Sequence, residues 1–130
     1  MILFARSIGS ALAAACAIGF ASTVSFAGAA QERVFDLTIT GGALPAAQRA
    51  MRVFKGDAVR WRITSDTPGE IHLHAYRAQA KLIAGTPAEI SFKAFATGRY
   101  RVEWHAASAK APPTGAHHAP PLATLEVRPR

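Results

Sequence analysis

The sequence predicts an all-β domain, an antiparallel sandwich or barrel of six or seven short strands. Three observations carry that expectation. Apolar and polar residues alternate in short runs, most clearly at Val59, Trp61 and Ile63 against Arg60 and Arg62. Turn compositions such as "SDTPGE" and "AGTP" separate the runs. Beyond residue 30, no stretch sustains a 3.6-residue apolar period for more than about two turns.

The first 30 residues stand apart from this pattern. A positive charge at Arg6 precedes the uncharged, alanine-rich run "SIGSALAAACAIGFASTVSFAGAA". Small residues then occupy the −3 and −1 positions of two possible cleavage sites, Ser25 with Ala27 and Gly28 with Ala30. These are the marks of a secretory signal peptide over residues 1–27, with residue 30 as the alternative end. The competing reading is a membrane anchor, because the run is long enough to span a bilayer. The small-residue exit and the immediate passage into β-like sequence favour cleavage, leaving no stable membrane anchor. Cys16, the single cysteine, lies in "LAAAC", which hints at lipoprotein processing. The leucine stands one place too far upstream, and hydrophobic sequence continues after the cysteine. Cys16 is therefore expected to leave with the signal, so the domain over 31–130 has neither disulfide nor thiolate ligand.

Taken in order, "RVFDLTIT" (33–40) is rich in β-branched and aromatic residues and stops at Gly41-Gly42. A polar, alanine-rich connection with room for a short helical turn leads to "MRVFK" (51–55). "DAVRWRIT" (57–64) alternates cleanly, and "EIHLHAY" (70–76) alternates again after the Pro68-Gly69 turn. "AEISFKAF" (88–95) follows a further turn. "GRYRVEWH" (98–105) sets Tyr100, Val102 and Trp104 against Arg101, Glu103 and His105, and "LATLEVR" (122–128) closes the chain. One low-complexity segment, "AASAKAPPTGAHHAPP" (106–121), holds four prolines and two adjacent histidines. Connections of that length are usually functional or disordered.

The net charge is +7, and loss of Arg6 leaves 14 − 8 = +6. The basic residues are scattered and alternate with apolar ones rather than forming the stripe of a nucleic-acid footprint. The expectation is a solvated basic surface with affinity for anionic envelope components, and no nucleic-acid partner.

Several of these segments have a family likeness. "VFKGDAVRWRITSD" (53–66) resembles the "GD-x-V-x-W/F" strand that opens the metal-binding half of cupredoxins, and "EIHLHAY" falls where that family has its first histidine. "AGTPAEISFKAFATGRYRVEWH" (84–105) resembles the family's "PG…F…A…G-x-Y-x-F-x-C" run, and "PLATLEVRP" (121–129) its last strand. The resemblance spans about Arg33 to Pro129 and implies a Greek-key β-sandwich, a plastocyanin- or azurin-type fold. The departures are as informative. Counting from Tyr100, Trp104 stands where electron-transferring members carry the copper thiolate, and the following loop has His105, His117 and His118 but no methionine. A blue-copper centre needs the copper–thiolate bond. This chain is therefore not a plastocyanin-like electron carrier.

Side chains two apart in a strand share a face, about 7 Å apart along it. Glu70, His72, His74 and Tyr76 are thus expected in one row, with Ile71, Leu73 and Ala75 turned to the core. In the cupredoxin arrangement the strand ending at the cysteine position is its neighbour, which implies Glu103 and His105 beside the row. His72, His74 and His105 are the candidate metal ligands. His117, His118, Glu70 and Glu103 are subsidiary candidates, the glutamates either as ligands or as acceptors that fix an imidazole tautomer. A nitrogen-rich set without thiolate suits copper, with zinc and nickel as alternatives. The bland reading is a wet strand face that needs no metal, with Trp61 and Trp104 packing in the core.

No Gly-x-Ser-x-Gly turn, cysteine nucleophile or phosphate loop is present, so no enzyme is expected. The implied function is an exported, periplasmic or secreted protein that handles a copper-type ion, with a periplasmic partner protein at hand-over. A metal-free interaction module of the cell envelope is the alternative. A redox enzyme using a type-2-like copper is a third.

Overall fold

The computed structural model describes residues 28–108 and 120–130. The signal segment expected over 1–27 lies outside them. Among the described residues, eight strands form two packed sheets: β1 (Glu32–Ile39), β2 (Ala50–Phe54), β3 (Ala58–Ser65), β4 (Gly69–Leu73), β5 (Ala78–Leu82), β6 (Ala88–Lys93), β7 (Gly98–Ala106) and β8 (Ala123–Arg128). One sheet has the order β1-β3-β6 and the other β2-β8-β7-β4-β5. No helix among the described residues is long and apolar enough to cross a membrane.

The period-two pattern does its expected work. Within β3, Val59, Trp61 and Ile63 are buried while Arg60 and Arg62 are exposed. The inward faces of both sheets meet in one core that includes Leu37, Met51, Ile71, Leu73, Val102 and Leu125. Each fully buried Leu or Ile side chain contributes about 1.5–3 kcal/mol relative to exposure. Trp61 lies at the centre with its ring edge-on to Phe92, centroids 5.1 Å apart.

The all-β sandwich expected from the sequence is what forms, but the sheets are mixed rather than purely antiparallel. β1 pairs parallel with β3, and β2 parallel with β8. The chain leaves β1 through a 3-10 turn at Ala46–Gln48, where the sequence left room for one, and crosses to the other sheet. It crosses back at Gly56-Asp57 to lay β3 alongside β1 in the same direction. Among the described strands, β4–β5 and β7–β8 alone are consecutive in sequence and adjacent in one sheet.

That second crossing is held by a buried carboxylate. Asp57 is inaccessible and accepts the backbone N–H of Phe54 at 2.9 Å and of Gln31 at 3.1 Å. The guanidinium of Arg33 (3.4 Å) and that of Arg130 complete its shell. One side chain thereby ties the entry to β1, the β2–β3 turn and the C-terminus. Burial alone would raise its pKa. The two N–H donors and the two cations outweigh burial and hold the carboxyl below its usual 3.8.

Two expectations along the chain change. The strand expected over 70–76 stops at Leu73, and His74–Tyr76 forms a 3-10 turn closed by Arg77 in a left-handed conformation (φ 50°). Ala75 is consequently exposed instead of entering the core. The turn then feeds β5, a strand the sequence did not announce, which returns antiparallel along β4.

Candidate metal centre

The five-stranded sheet places the candidate residues. β4 and β7 run antiparallel with Glu70 opposite His105 and His72 opposite Glu103. Ile71 and Leu73 face the core, as do Val102 and Trp104, so these four polar residues form a block on the outer face. Directly opposed residues in an antiparallel pair hold their Cβ atoms about 4.5–5.5 Å apart. The close approach of the two strands has a steric condition at Gly69. A Cβ there would stand 2.4 Å from Trp104 Cζ2 and 2.7 Å from the His105 carbonyl oxygen, so glycine alone fits beside the indole.

His74 joins the block because the strand ends before it. The 3-10 turn brings its ring back over His72, stacked at 27° with centroids 5.3 Å apart. The His72 ring also meets that of His105 edge-on at 5.0 Å. His74 Nε2 donates to Glu103 Oε2 at 3.0 Å, and His105 Nε2 lies 3.7 Å from the same oxygen. One ligand atom from each of His74, Glu103 and His105 falls within 4.8 Å of the others. Metal–nitrogen and metal–oxygen bonds of about 2.0–2.2 Å put ligand atoms about 3–4 Å apart. A slight closure of these three side chains would bring their ligand atoms to that spacing. The side chains of His74 and His105 are 66% and 50% exposed, which leaves the position open to an ion from solvent.

The hydrogen bond from His74 is the chief influence on Glu103, holding its carboxyl below the usual 4.5; partial burial opposes it, and the charges of His74, His105 and Arg101 reinforce it. The carboxylate is thus ionised at neutral pH and available as a ligand. His72 and Glu70 form a second pair, Nε2 to Oε1 at 3.1 Å, and are less exposed than the triad.

Of the sequence candidates, the structure gathers His72, His74, His105, Glu70 and Glu103 on one face. The set that converges most tightly is His74, Glu103 and His105, with Glu103 at its middle. The sequence ranked Glu103 below His72, because ranking by residue type favours imidazoles and the strand register was not available to correct it. Tyr76 leaves the row expected for it. The turn swings it inward, where its hydroxyl donates to Ala96 O at 2.9 Å and its ring packs against Phe92, Phe95 and Tyr100. His117 and His118 lie outside the described residues. Trp61 packs in the core and Trp104 against it, and neither indole N–H finds a partner among the described residues.

No family model matches the chain, and no curated protein sequence matches it. Solved structures do share its fold. A multicopper oxidase from Pseudomonas thermotolerans superposes with a TM-score of 0.56 at 19% identity, over 78% of this chain and 31% of the oxidase chain. A copper binding protein solved in its apo form matches with a TM-score of 0.53 at 10% identity, over 75% of this chain and 88% of that one. The periplasmic domain of cytochrome oxidase subunit II from Bradyrhizobium japonicum matches with a TM-score of 0.51 at 16% identity, over 75% and 83%. The chain spans about a third of the length of the multicopper oxidase it matches. At these identities the likeness is one of fold alone. This chain folds as a cupredoxin-like domain.

Proposed function

We propose that this protein binds a single copper-type ion through His74, Glu103 and His105, with His72 adjacent and oriented by Glu70. Its role would be metal handling in the periplasm, as store, buffer or donor to a partner protein, after removal of residues 1–27 as a signal peptide. The observation that carries this reading is the convergence of two imidazoles and an ionised carboxylate on one solvent-facing patch, with a third imidazole packed against them. Two imidazoles and a carboxylate without thiolate suit Cu(II), which stands highest in the affinity order, and accept Zn(II) or Ni(II). The occurrence of the fold among copper proteins is in keeping with it. Blue-copper electron transfer is outside the proposal, since no cysteine follows residue 16.

Titration of the purified protein with Cu(II) tests the reading. One equivalent is expected to bind and to survive gel filtration. Substoichiometric or absent binding would favour the second reading, a metal-free envelope module. That reading draws on the missing cysteine and methionine, and it predicts that protein taken from its native compartment carries no copper.

A further inference from the structure

The two outer faces of the sandwich differ in how their arginines are balanced. On the three-stranded sheet, Arg60 pairs with Glu32 and Glu89, and Arg62 with Asp36. With Lys93 counted, that face carries three cations and three anions, 3 − 3 = 0. On the five-stranded sheet, Arg52 on β2, Arg99 and Arg101 on β7 and Arg128 on β8 all point outward, with Arg101 next to Glu103 of the histidine cluster on the same face. Three of them share one carboxylate: Glu126 lies 3.2 Å from Arg52 Nε, 3.2 Å from Arg128 Nε and 3.8 Å from Arg99. Over the whole of that outer face, with Lys81, Glu70 and Glu103 included, the sum is 5 − 3 = +2, and Arg52 and Arg99 remain 67% and 77% exposed. Phe54 stands opposite Arg128 in the register, 39% exposed, with the Arg130 guanidinium 5.9 Å above its ring.

We propose that this arginine field docks an acidic protein surface and so seats that partner beside the histidine cluster on the same face. Guanidinium forks gathered on one sheet face suit bidentate pairing with carboxylates, and arginine with an exposed aromatic is the composition that protein interfaces favour. A second copy of the chain fits poorly, because it would set one +2 face against another. An anionic bilayer would satisfy the charge, but it would press the histidine face against lipid instead of presenting it to another set of ligands. The part of the proposal that concerns metal transfer rests on the metal-binding reading above; the docking itself does not.

The test is a 15N NMR titration of the metal-free protein with a short oligoglutamate peptide. Amide shifts are expected to cluster at residues 52, 99, 101 and 128, and affinity to fall with added salt. Arg99→Glu with Arg128→Glu should weaken binding at least about tenfold. Arg60→Glu with Arg62→Glu changes the net charge equally on the other face and should leave binding within about twofold. The glutamine pair at 99 and 128 gives the same reading if the glutamate pair unfolds. Equal loss from both pairs, or shifts spread over both faces, overturns the docking face. So does binding to phosphatidylglycerol vesicles that depends on Arg99 and Arg128 while the peptide fails to bind, which would make a bilayer the occupant. Repeating the titration with His74→Ala, His105→Ala protein separates the two proposals. Peptide binding persists there if docking is right, whether or not copper binds the unaltered protein.

Discussion

Replacing His74 and His105 together by alanine is expected to lower Cu(II) affinity by at least about 100-fold, while the domain stays folded. Loss of an outer partner alone typically costs 10–100-fold in metal affinity, and this change removes two of the three converging donors. Both side chains are at least half exposed and neither contributes to the core, so stability should change by no more than about 0.5 kcal/mol. Competition titration against a chelator of known affinity reads the loss, and a thermal melt checks the fold. Glu103→Gln keeps the shape but removes the charge that both imidazoles face, and about a 10–100-fold loss is expected. His72→Ala should cost less than either, because His72 Nε2 is turned to Glu70 rather than to the triad. If His72→Ala proves as damaging as His74→Ala, the ion sits nearer the strand row that the sequence suggested.

The largest stability effect should come from Asp57. Changing it to alanine leaves two guanidinium groups and two backbone N–H groups around a site with no acceptor. Removing one partner of a buried ionic network typically costs about 3–5 kcal/mol. For a domain of this size that is a fall in Tm of more than about 12 °C. The pH dependence carries a second signature. The folded carboxyl is held below 3.8, so its stabilising contribution is complete above that value and is lost as the pH falls below it. Acid titration of the unaltered protein should therefore show a loss of stability beginning below pH 3.8, and Asp57→Asn should abolish that part of the profile.

Which parts were legible in the sequence follows from which forces are local. β3 and β7 could be placed to within a residue because their alternation is complete and their flanking turns are marked by Gly-Asp, Thr-Gly and Pro-Gly pairs. β5, "AQAKL", could not, because alanine, glutamine and lysine have little strand preference of their own. It becomes a strand because the turn after His74 returns the chain along β4, where backbone pairing is on offer. The parallel pairing of β1 with β3 was also hidden. Alternation says which face of a strand is buried and nothing about which strand lies beside it.

The candidate centre divides the same way. That His72 faces out with Glu70 follows from strand periodicity, and the neighbouring place of Glu103 and His105 followed from the family resemblance. The end of β4 was not legible: a pattern of alternate residues runs unbroken through "EIHLHAY", yet the strand stops one residue before His74. Tyr76 explains why. Its hydroxyl finds the Ala96 carbonyl and its ring finds three aromatic neighbours at the edge of the core, contacts that a straight strand would deny it. The same bend that half-buries Tyr76 swings His74 onto Glu103. The arginine field went unread because its members are scattered over β2, β7 and β8 and meet through pairing alone.

The electron paramagnetic resonance spectrum of the protein with less than one equivalent of Cu(II) bears most directly on the metal centre. An axial signal with hyperfine splitting from at least two nitrogen donors is predicted, absent when His74 and His105 are alanine. A spectrum of solvated copper, or a nitrogen pattern unchanged by those replacements, would contradict it.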